Sequence, residues 1–287
     1  MSGFCVHVSD VERLVDDAVI AEYRQRGYWR SPKLIDDETI ACLRVAHERL
    51  WSGQFDRPIP SQYGPPKPPA DPGDLRQLCN AYWLSDEIRH VVTSPVLGAI
   101  GARLMDVPAV RLWHDQAVHK PGAGTRGVTG KPSVGWHQDF GYWQCASTTN
   151  MCTAWIALQD TDLNNGGMRT IVGSHRWGLV PESNNFWSQT LDGDAERFAK
   201  LAKGEWSDEP CVLKAGEASF HHALTFHGSG PNFTDQPRMC VIAHMMPGDT
   251  TYRAGRQVHP NLVFLGPDAH DGQPFAGPFW PVLWPAA

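Results

Sequence analysis

Two short segments of the sequence contain side chains that could hold a metal ion. The first segment is Trp136-His137-Gln138-Asp139-Phe140. On a strand, His137 and Asp139 would point to the same face, because side chains two residues apart lie on one side. An imidazole and a carboxylate on one face supply two of the three ligands of a facial metal site. The tripeptide alone is a weak signal, since such pairs also occur on protein surfaces.

A third ligand must come from a distant strand, and the second segment offers His221, His222 and His227. Alternation along a strand would place His227 and Ser229 on one face. Arg238 follows a Pro-Asn turn, and a buried arginine near a metal needs an anionic partner such as a carboxylate. Two histidines and one carboxylate form the ligand set of non-haem Fe(II) oxygenases. The residues alone leave His221 and His222 as alternatives to His227.

The elements that must position these residues change in type along the chain. In the first third of the chain, apolar residues at helical spacing and a Ser94-Pro95 start predict helices at residues 12–27, 36–50 and 95–105. A further helix is predicted over 195–203. Period-two apolar runs predict strands at 110–118, 151–158, 168–172, 216–221 and 238–246. This order predicts a mainly β fold with flanking α-helices, a β-barrel or jelly roll.

Composition and charge narrow the classes of protein. The chain has 287 residues, of which 41% are hydrophobic and 20% charged, as in soluble globular proteins. The net charge of −6 predicts no nucleic-acid partner, and no apolar run approaches the ~20 residues of a membrane span. The seven cysteines are scattered and the first residues do not resemble a signal peptide, so we expect a reducing, cytoplasmic location.

The motifs together resemble the phytanoyl-CoA dioxygenase family, from about Tyr23 to Met246. The residues that carry this resemblance are His137-x-Asp139, Asn165-Gly166-Gly167-Met168-Arg169, Val172-Gly173-Ser174-His175-Arg176, His227, Ser229, Pro231-Asn232 and Arg238. The resemblance implies a double-stranded β-helix, that is a cupin-like jelly roll, in one domain over residues 1–287. N-terminal helices (about 10–105) would precede core strands (about 109–246) and a tail rich in Pro and Gly.

The resemblance also implies roles for individual residues. His137, Asp139 and His227 would bind Fe(II), while Arg238 and Ser229 would hold the distal carboxylate of 2-oxoglutarate. Further cosubstrate contacts are expected from residues on neighbouring strands, namely Trp155, Thr153 and Gln116, with Lys120 as a looser candidate.

The implied activity is an Fe(II)- and 2-oxoglutarate-dependent dioxygenase that uses O2 and releases succinate and CO2. Related halogenases lack the carboxylate ligand, so Asp139 favours oxygenation over halogenation. Few basic residues are available to bind a CoA thioester, which favours a small, partly hydrophobic metabolite as substrate. The alternatives are an enzyme acting on an acyl-CoA and a non-redox, isomerase-like metalloenzyme. We expect the long loops at 56–73, 121–134, 181–209 and 260–287 to cover the site.

Overall fold

The structure is a computed structural model that describes residues 3–61 and 69–285. The helices in these ranges are α1 (Val11–Leu14), α2 (Asp17–Arg26), α3 (Asp37–Trp51), α4 (Asp86–Val92), α5 (Pro95–Met105) and α6 (Leu191–Leu201). The strands are β1 (Tyr28–Arg30), β2 (Arg76–Cys79), β3 (Val110–Lys120), β4 (Val134–His137), β5 (Cys152–Ala157), β6 (Arg169–Ile171), β7 (Asp208–Pro210), β8 (Ala218–His222), β9 (His227–Ser229), β10 (Arg238–Pro247) and β11 (Val282–Trp284).

Two antiparallel sheets form the core of the fold. The larger has the strand order β1-β8-β5-β10-β3-β11, and β2 also pairs with β3. The smaller has the order β4-β9-β6-β7. The mainly β architecture with flanking helices predicted from the sequence is therefore confirmed. None of the helices in residues 3–61 and 69–285 combines the length and apolar character needed to cross a membrane.

Side-chain alternation on β10 separates the helical layer from the interior. Met239, Val241, Ala243 and Met245 pack into the large apolar cluster with the helices. The intervening residues face the space between the sheets, where Arg238, Ile242 and His244 line a cavity. This alternation follows from the two-residue period of a strand. One face of β10 therefore packs against the helices, and its other face lines the cavity between the sheets.

The predicted N-terminal helix over residues 12–27 is wrong as a single element. The chain breaks at Val15, and the Asp16 side chain accepts a hydrogen bond from the Val19 backbone N–H at 3.0 Å, which starts a second helix. Gly27 ends that helix with φ +83°, a conformation that glycine adopts without steric cost. The helix predicted from 195 instead begins at Leu191.

The C-terminal tail is more ordered than its Pro and Gly content predicts. Residues Pro260–Leu265 form a 3-10 helix, and β11 adds to the edge of the larger sheet. Asn261 anchors this tail, because its side-chain amide exchanges hydrogen bonds of 2.7 and 3.2 Å with the amide of Asn80. In the loop predicted at 56–73, residues 62–68 lie outside the described part. The prediction of one domain over 1–287 stays a prediction.

Candidate metal centre and its cavity

His137, Asp139 and His227 meet between the two sheets. One ligand atom from each lies within 4.8 Å of the others, and all three residues are buried. The Nε2 atoms of His137 and His227 are each 3.6 Å from Oδ1 of Asp139. The two histidines are register partners in the β4–β9 pair, which fixes their separation through the backbone. The arrangement joins ligands that are far apart in the sequence.

Asp139 reaches the centre by a different route from the one predicted. It does not lie on a strand with His137, because β4 ends at His137 and Asp139 opens a 3-10 turn. Gln138 makes this turn: its backbone N–H donates to Ser183 O, and its side-chain amide donates to Leu224 O at 2.7 Å. The buried glutamine thus redirects the chain while leaving both ligands on the same side.

Backbone carbonyls orient the two imidazoles. Nδ1 of His137 lies 2.8 Å from Gly135 O, and Nδ1 of His227 lies 2.9 Å from Thr225 O. A carbonyl oxygen can only accept, so each Nδ1 carries the proton and each Nε2 presents a lone pair. Hydrogen bonds of this kind commonly fix the tautomer of histidine ligands. The donor set fits a divalent transition metal.

The carboxylate of Asp139 is ionised despite its burial. Burial alone would raise its pKa, but the neighbouring imidazoles, first His227 and then His137 and His221, hold the pKa well below its usual range. Burial and the neighbouring His137 lower the pKa of His227 well below its ordinary value. One anionic carboxylate therefore faces a neutral imidazole, which are the protonation states that metal ligation requires.

Thr153 connects Asp139 to a second set of histidines. Its hydroxyl lies 2.8 Å from Oδ2 of Asp139 and 2.8 Å from Nδ1 of His244. Because the ionised carboxylate only accepts, Thr153 donates to Asp139 and accepts from His244. Nε2 of His221 also lies 3.4 Å from Oδ2 of Asp139. His221 is therefore a neighbour of the carboxylate, whereas His227 completes the candidate metal site.

A cavity of about 370 Å³ adjoins the centre. Its walls contain all eight residues predicted to hold the metal or the cosubstrate, namely Gln116, His137, Asp139, Thr153, Trp155, His227, Ser229 and Arg238. Of the loops expected to cover the site, three supply wall residues, including Val134, Trp187 and Pro260. The structure therefore brings the predicted residues together, while their individual roles stay predictions.

Arg238 is a buried cation at this cavity. Its side chain donates to Gly166 O at 3.1 Å and to the Cys240 sulfur at 3.3 Å, and its guanidinium carbon lies 5.2 Å from the centre of the Trp155 ring. Its Nε has no hydrogen-bond partner. No carboxylate in residues 3–61 and 69–285 forms an ion pair with Arg238. The charge is thus available to an anionic ligand.

Lys120 has a different place from the one considered in the sequence. It is fully buried and is not among the described residues that line the cavity. Its Nζ donates to Oγ of Ser229 at 2.7 Å and to the carbonyl of Gly230. Burial and the nearby Arg238 lower the pKa of Lys120 well below its ordinary value. Lys120 holds Ser229 in place and does not itself reach the cavity.

Several cavity residues were not assigned to the site from the sequence. They are Gln77, Cys79, His114, Val118, Tyr142, Trp143, Phe186, Trp187, His221, Gln257, Val258 and His259. His114 and His244 lie on the inward faces of two predicted strands, so the two-residue alternation of those strands could have placed them at the cavity. His259 follows a loop, and no sequence pattern relates it to the metal ligands.

Comparison with known proteins gives the family. The sequence profile described as phytanoyl-CoA dioxygenase (PhyH) matches residues 23–240. The chain belongs to the phytanoyl-CoA dioxygenase family. Membership confirms the enzyme class predicted from the sequence, a 2-oxoglutarate-dependent non-haem iron dioxygenase with O2 as co-substrate.

Curated relatives of this family member are distant. The peroxisomal phytanoyl-CoA dioxygenase of Mus musculus is 23% identical over 238 residues, covering 79% of this chain and 67% of that protein. The human enzyme is 26% identical over 147 residues, which are 50% of this chain and only 42% of that protein. The ectoine dioxygenase of Streptomyces avermitilis is 27% identical over 243 residues, covering 78% of this chain and 76% of that protein.

Solved structures support the fold. The α-ketoglutarate-dependent carbocyclase SnoK from nogalamycin biosynthesis has a TM-score of 0.70 at 21% identity, covering 95% of this chain and 97% of that chain. EctD from S. alaskensis with 2-oxoglutarate and 5-hydroxyectoine has a TM-score of 0.66 at 18% identity, covering 90% and 85%. The predicted double-stranded β-helix is confirmed.

Proposed function

We propose that this chain is an Fe(II)- and 2-oxoglutarate-dependent dioxygenase that oxidises an unactivated C–H bond of a small, partly hydrophobic metabolite. His137, Asp139 and His227 would hold the iron. The observation that carries the proposal is Arg238, a buried guanidinium without a carboxylate partner in the described chain, in the same cavity as these ligands. A buried cation of this kind requires an anion, and a dicarboxylate fits this need.

The residues around Arg238 define how the cosubstrate would be held. The guanidinium offers a planar fork for the distal carboxylate, and Ser229 adds a hydroxyl donor. Lys120 already donates to the Ser229 oxygen, so the serine proton is free to point toward the ligand. Trp155 lies against the guanidinium and fixes its plane. Iron and 2-oxoglutarate, when bound, would supply the oxidative decarboxylation to succinate and CO2 that drives the C–H oxidation.

The walls of the cavity favour a substrate without phosphate groups. Arg238 is the only Lys or Arg among the described lining residues, and we assign it to the cosubstrate. A CoA thioester carries several phosphate charges, and the described walls offer no second cation to bind them. Aromatic residues such as Trp143, Phe186 and Trp187 line the cavity instead. These features favour a neutral, ring-containing molecule over an acyl-CoA.

The metal ligands and Arg238 also bear on the type of reaction. Asp139 occupies the third ligand position, so its carboxylate disfavours halogenation, which would require that position to be open. A non-redox, isomerase-like reaction would not use the unpaired Arg238, which disfavours that alternative. We therefore infer oxygenation of a carbon centre as the reaction type.

The proposal is tested by anaerobic titration of the protein with Fe(II) and 2-oxoglutarate. We expect a visible charge-transfer band that appears only when both are present. Asp139→Ala should lose the metal, because an anionic ligand is removed. Arg238→Ala should weaken 2-oxoglutarate binding at least tenfold while leaving Fe(II) binding within about twofold, because its contact is to a carboxylate.

Arg111→Ala is the matched control for Arg238→Ala. Arg111 is a partly buried arginine of β3 that donates to the carbonyls of Gly248 and Trp280 and does not line the described cavity. Its variant should bind 2-oxoglutarate as the unchanged protein does. Absence of the band in the unchanged protein, or equal losses of iron and 2-oxoglutarate in Arg238→Ala, would contradict the proposal.

A further inference from the structure

A row of polar side chains crosses four neighbouring strands of the larger sheet. His114 of β3 is the register partner of His244 of β10, which pairs with Thr153 of β5, which in turn pairs with His221 of β8. All four residues are buried and line the cavity. The proposed metal ligands account for Thr153 and His221, which contact Asp139. They leave the His114 end of the row without an assigned purpose.

His259 joins that end from the C-terminal tail. The ring centres of His114 and His244 are 4.3 Å apart, and those of His114 and His259 are 5.0 Å apart. Indole rings support the group: Trp143 lies 4.7 Å from His244, and Trp113 lies 4.8 Å from His259. We call His114, His244 and His259 the histidine cluster. It is a packed group of three imidazoles at the cavity wall.

Hydrogen bonds fix which nitrogens of the histidine cluster carry protons. Burial lowers the pKa of His114 and of His259 to about 3, so both are neutral near pH 7. Nδ1 of His259 accepts from the Asn261 N–H at 3.2 Å, so its Nε2 carries the proton. Nδ1 of His244 donates to Thr153, which leaves a lone pair on Nε2. Nδ1 of His114 faces the carbonyl oxygen of Asp115 at 3.4 Å and carries the proton, which likewise leaves a lone pair on Nε2 of His114.

Two of these nitrogens have no partner within the protein. Nε2 of His114 and Nε2 of His244 are buried and make no hydrogen bond. A buried polar atom without a partner costs roughly 1–3 kcal/mol, so native proteins rarely keep one without a reason. Both side chains line the cavity, so a molecule bound there could supply the missing partner.

The chemistry of the histidine cluster limits what that molecule is. It is not a second metal site, because within residues 3–61 and 69–285 only His137, Asp139 and His227 bring three ligating atoms within 4.8 Å. Lone pairs on neutral imidazoles do not attract an anion. A hydroxyl group can donate to one of these lone pairs and accept from the proton on His259, so it satisfies both kinds of atom.

We propose that the histidine cluster is a substrate subsite for a hydroxyl group on a neutral ring compound. The apolar part of the same molecule would lie against Trp187 and Val258, which are 58% and 83% exposed and line the cavity. This inference rests on the proposed function, because it places the substrate of that reaction. It assigns the His114 end of the cavity to substrate and the Arg238 end to cosubstrate.

The test compares neutral ring compounds that differ by one hydroxyl group, with indanol and indane as the first pair. Binding to the full-length, metal-free protein is measured by tryptophan fluorescence and by saturation-transfer NMR. We expect the hydroxylated member to bind about tenfold more tightly, the effect of one hydrogen bond to otherwise unpaired groups. In His114→Phe and in His259→Phe the preference should fall to within about twofold, since phenylalanine keeps the ring and removes the nitrogens.

His47→Phe is the matched control. His47 is also fully buried with both ring nitrogens unpartnered, but it lies on α3 and is not among the described residues lining the cavity. Its variant should keep the full hydroxyl preference. If His114→Phe does not fold, as judged by circular dichroism, His259→Phe carries the same prediction. A wild-type protein without hydroxyl preference, or variants that retain it, would overturn the subsite.

The two proposals can fail separately. A wild-type protein that shows the Fe(II) and 2-oxoglutarate band but no hydroxyl preference would reject the histidine cluster as a subsite and leave the proposed function standing. A protein that prefers indanol but never shows the band would reject the proposed function instead. Absence of binding by every pair in the panel also counts against the subsite.

Discussion

Thr153→Val tests whether the hydroxyl between Asp139 and His244 supports the metal centre. The change keeps the branched shape of the side chain and removes only the hydroxyl. That hydroxyl makes hydrogen bonds of 2.8 Å to the Asp139 carboxylate and 2.8 Å to His244. In the variant, an ionised acceptor and an imidazole N–H would both lie buried without this partner.

The expected magnitude follows from these two contacts. Loss of a hydrogen bond that orients a metal ligand typically lowers metal affinity 10- to 100-fold, or about 1.4–2.7 kcal/mol. His221 remains 3.4 Å from the same carboxylate oxygen and can replace part of the lost contact. We therefore expect Fe(II) affinity to fall about 10- to 30-fold in Thr153→Val. The metal-free variant should also lose roughly 1–3 kcal/mol of unfolding free energy, because two buried groups lose their partner.

Metal affinity is measured anaerobically by competition with a coloured chelator, and stability by urea unfolding. Thr153→Ser is the matched control, because it keeps the hydroxyl and removes only a methyl group; its Fe(II) affinity should stay within about threefold of the unchanged protein. Equal affinities for the valine variant and the unchanged protein would refute the reasoning. If serine weakened the site as much as valine, packing and not hydrogen bonding would be responsible.

Three further predictions concern buried groups near the site. Lys120→Met should weaken 2-oxoglutarate binding about tenfold in calorimetry with little effect on Fe(II), because Ser229 loses the donor that orients it; unchanged cosubstrate affinity would count against this role. Asp115→Asn should change the pH dependence of stability. Burial raises the pKa of the Asp115 carboxyl from 3.8 to about 8, so in this range the folded protein keeps a proton that the unfolded chain releases. The free energy of unfolding therefore falls as the pH rises from about 4 to about 8. Urea unfolding should show a smaller fall in the asparagine variant, and parallel curves would refute the assignment. Gly166→Ala should lower the free energy of unfolding in urea by roughly 1–3 kcal/mol, because φ of this residue is +72° and the new Cβ would lie 2.7 Å from the Lys120 side chain. Gly193→Ala on α6 is the control, because the space around Gly193 is open. Equal effects of the two changes would contradict the argument.

The meeting of His137 and Asp139 could be predicted because they lie only two positions apart in the sequence. His137 and Asp139 converge even though Asp139 lies on a 3-10 turn and not on the expected strand. The turn depends on Gln138, whose side-chain contacts to Leu224 and Gly178 are long-range and have no trace in the sequence. The side chains therefore meet as predicted, although Asp139 lies on a different element, and their role as metal ligands stays a prediction.

Other features depend on contacts that one sequence does not reveal. The contact of Lys120 with Ser229 arises because Lys120 is the register partner of Arg238, and strand register was not predictable from alternation alone. The break between α1 and α2 reflects a local competition, in which the Asp16 cap wins over continued helical spacing. His259 enters the site through the fold of a tail whose composition predicted only a loop.

The anchoring of the tail by Asn80 and Asn261 has an evolutionary consequence. The family profile ends at residue 240, whereas His244 and His259 lie beyond it. The proposed metal ligands, Arg238 and His114 lie within the family profile, whereas the rest of the histidine cluster lies outside it. Substitutions around His259 could therefore change which molecule such an enzyme binds without touching the proposed metal ligands, so a match to the family profile does not specify the substrate.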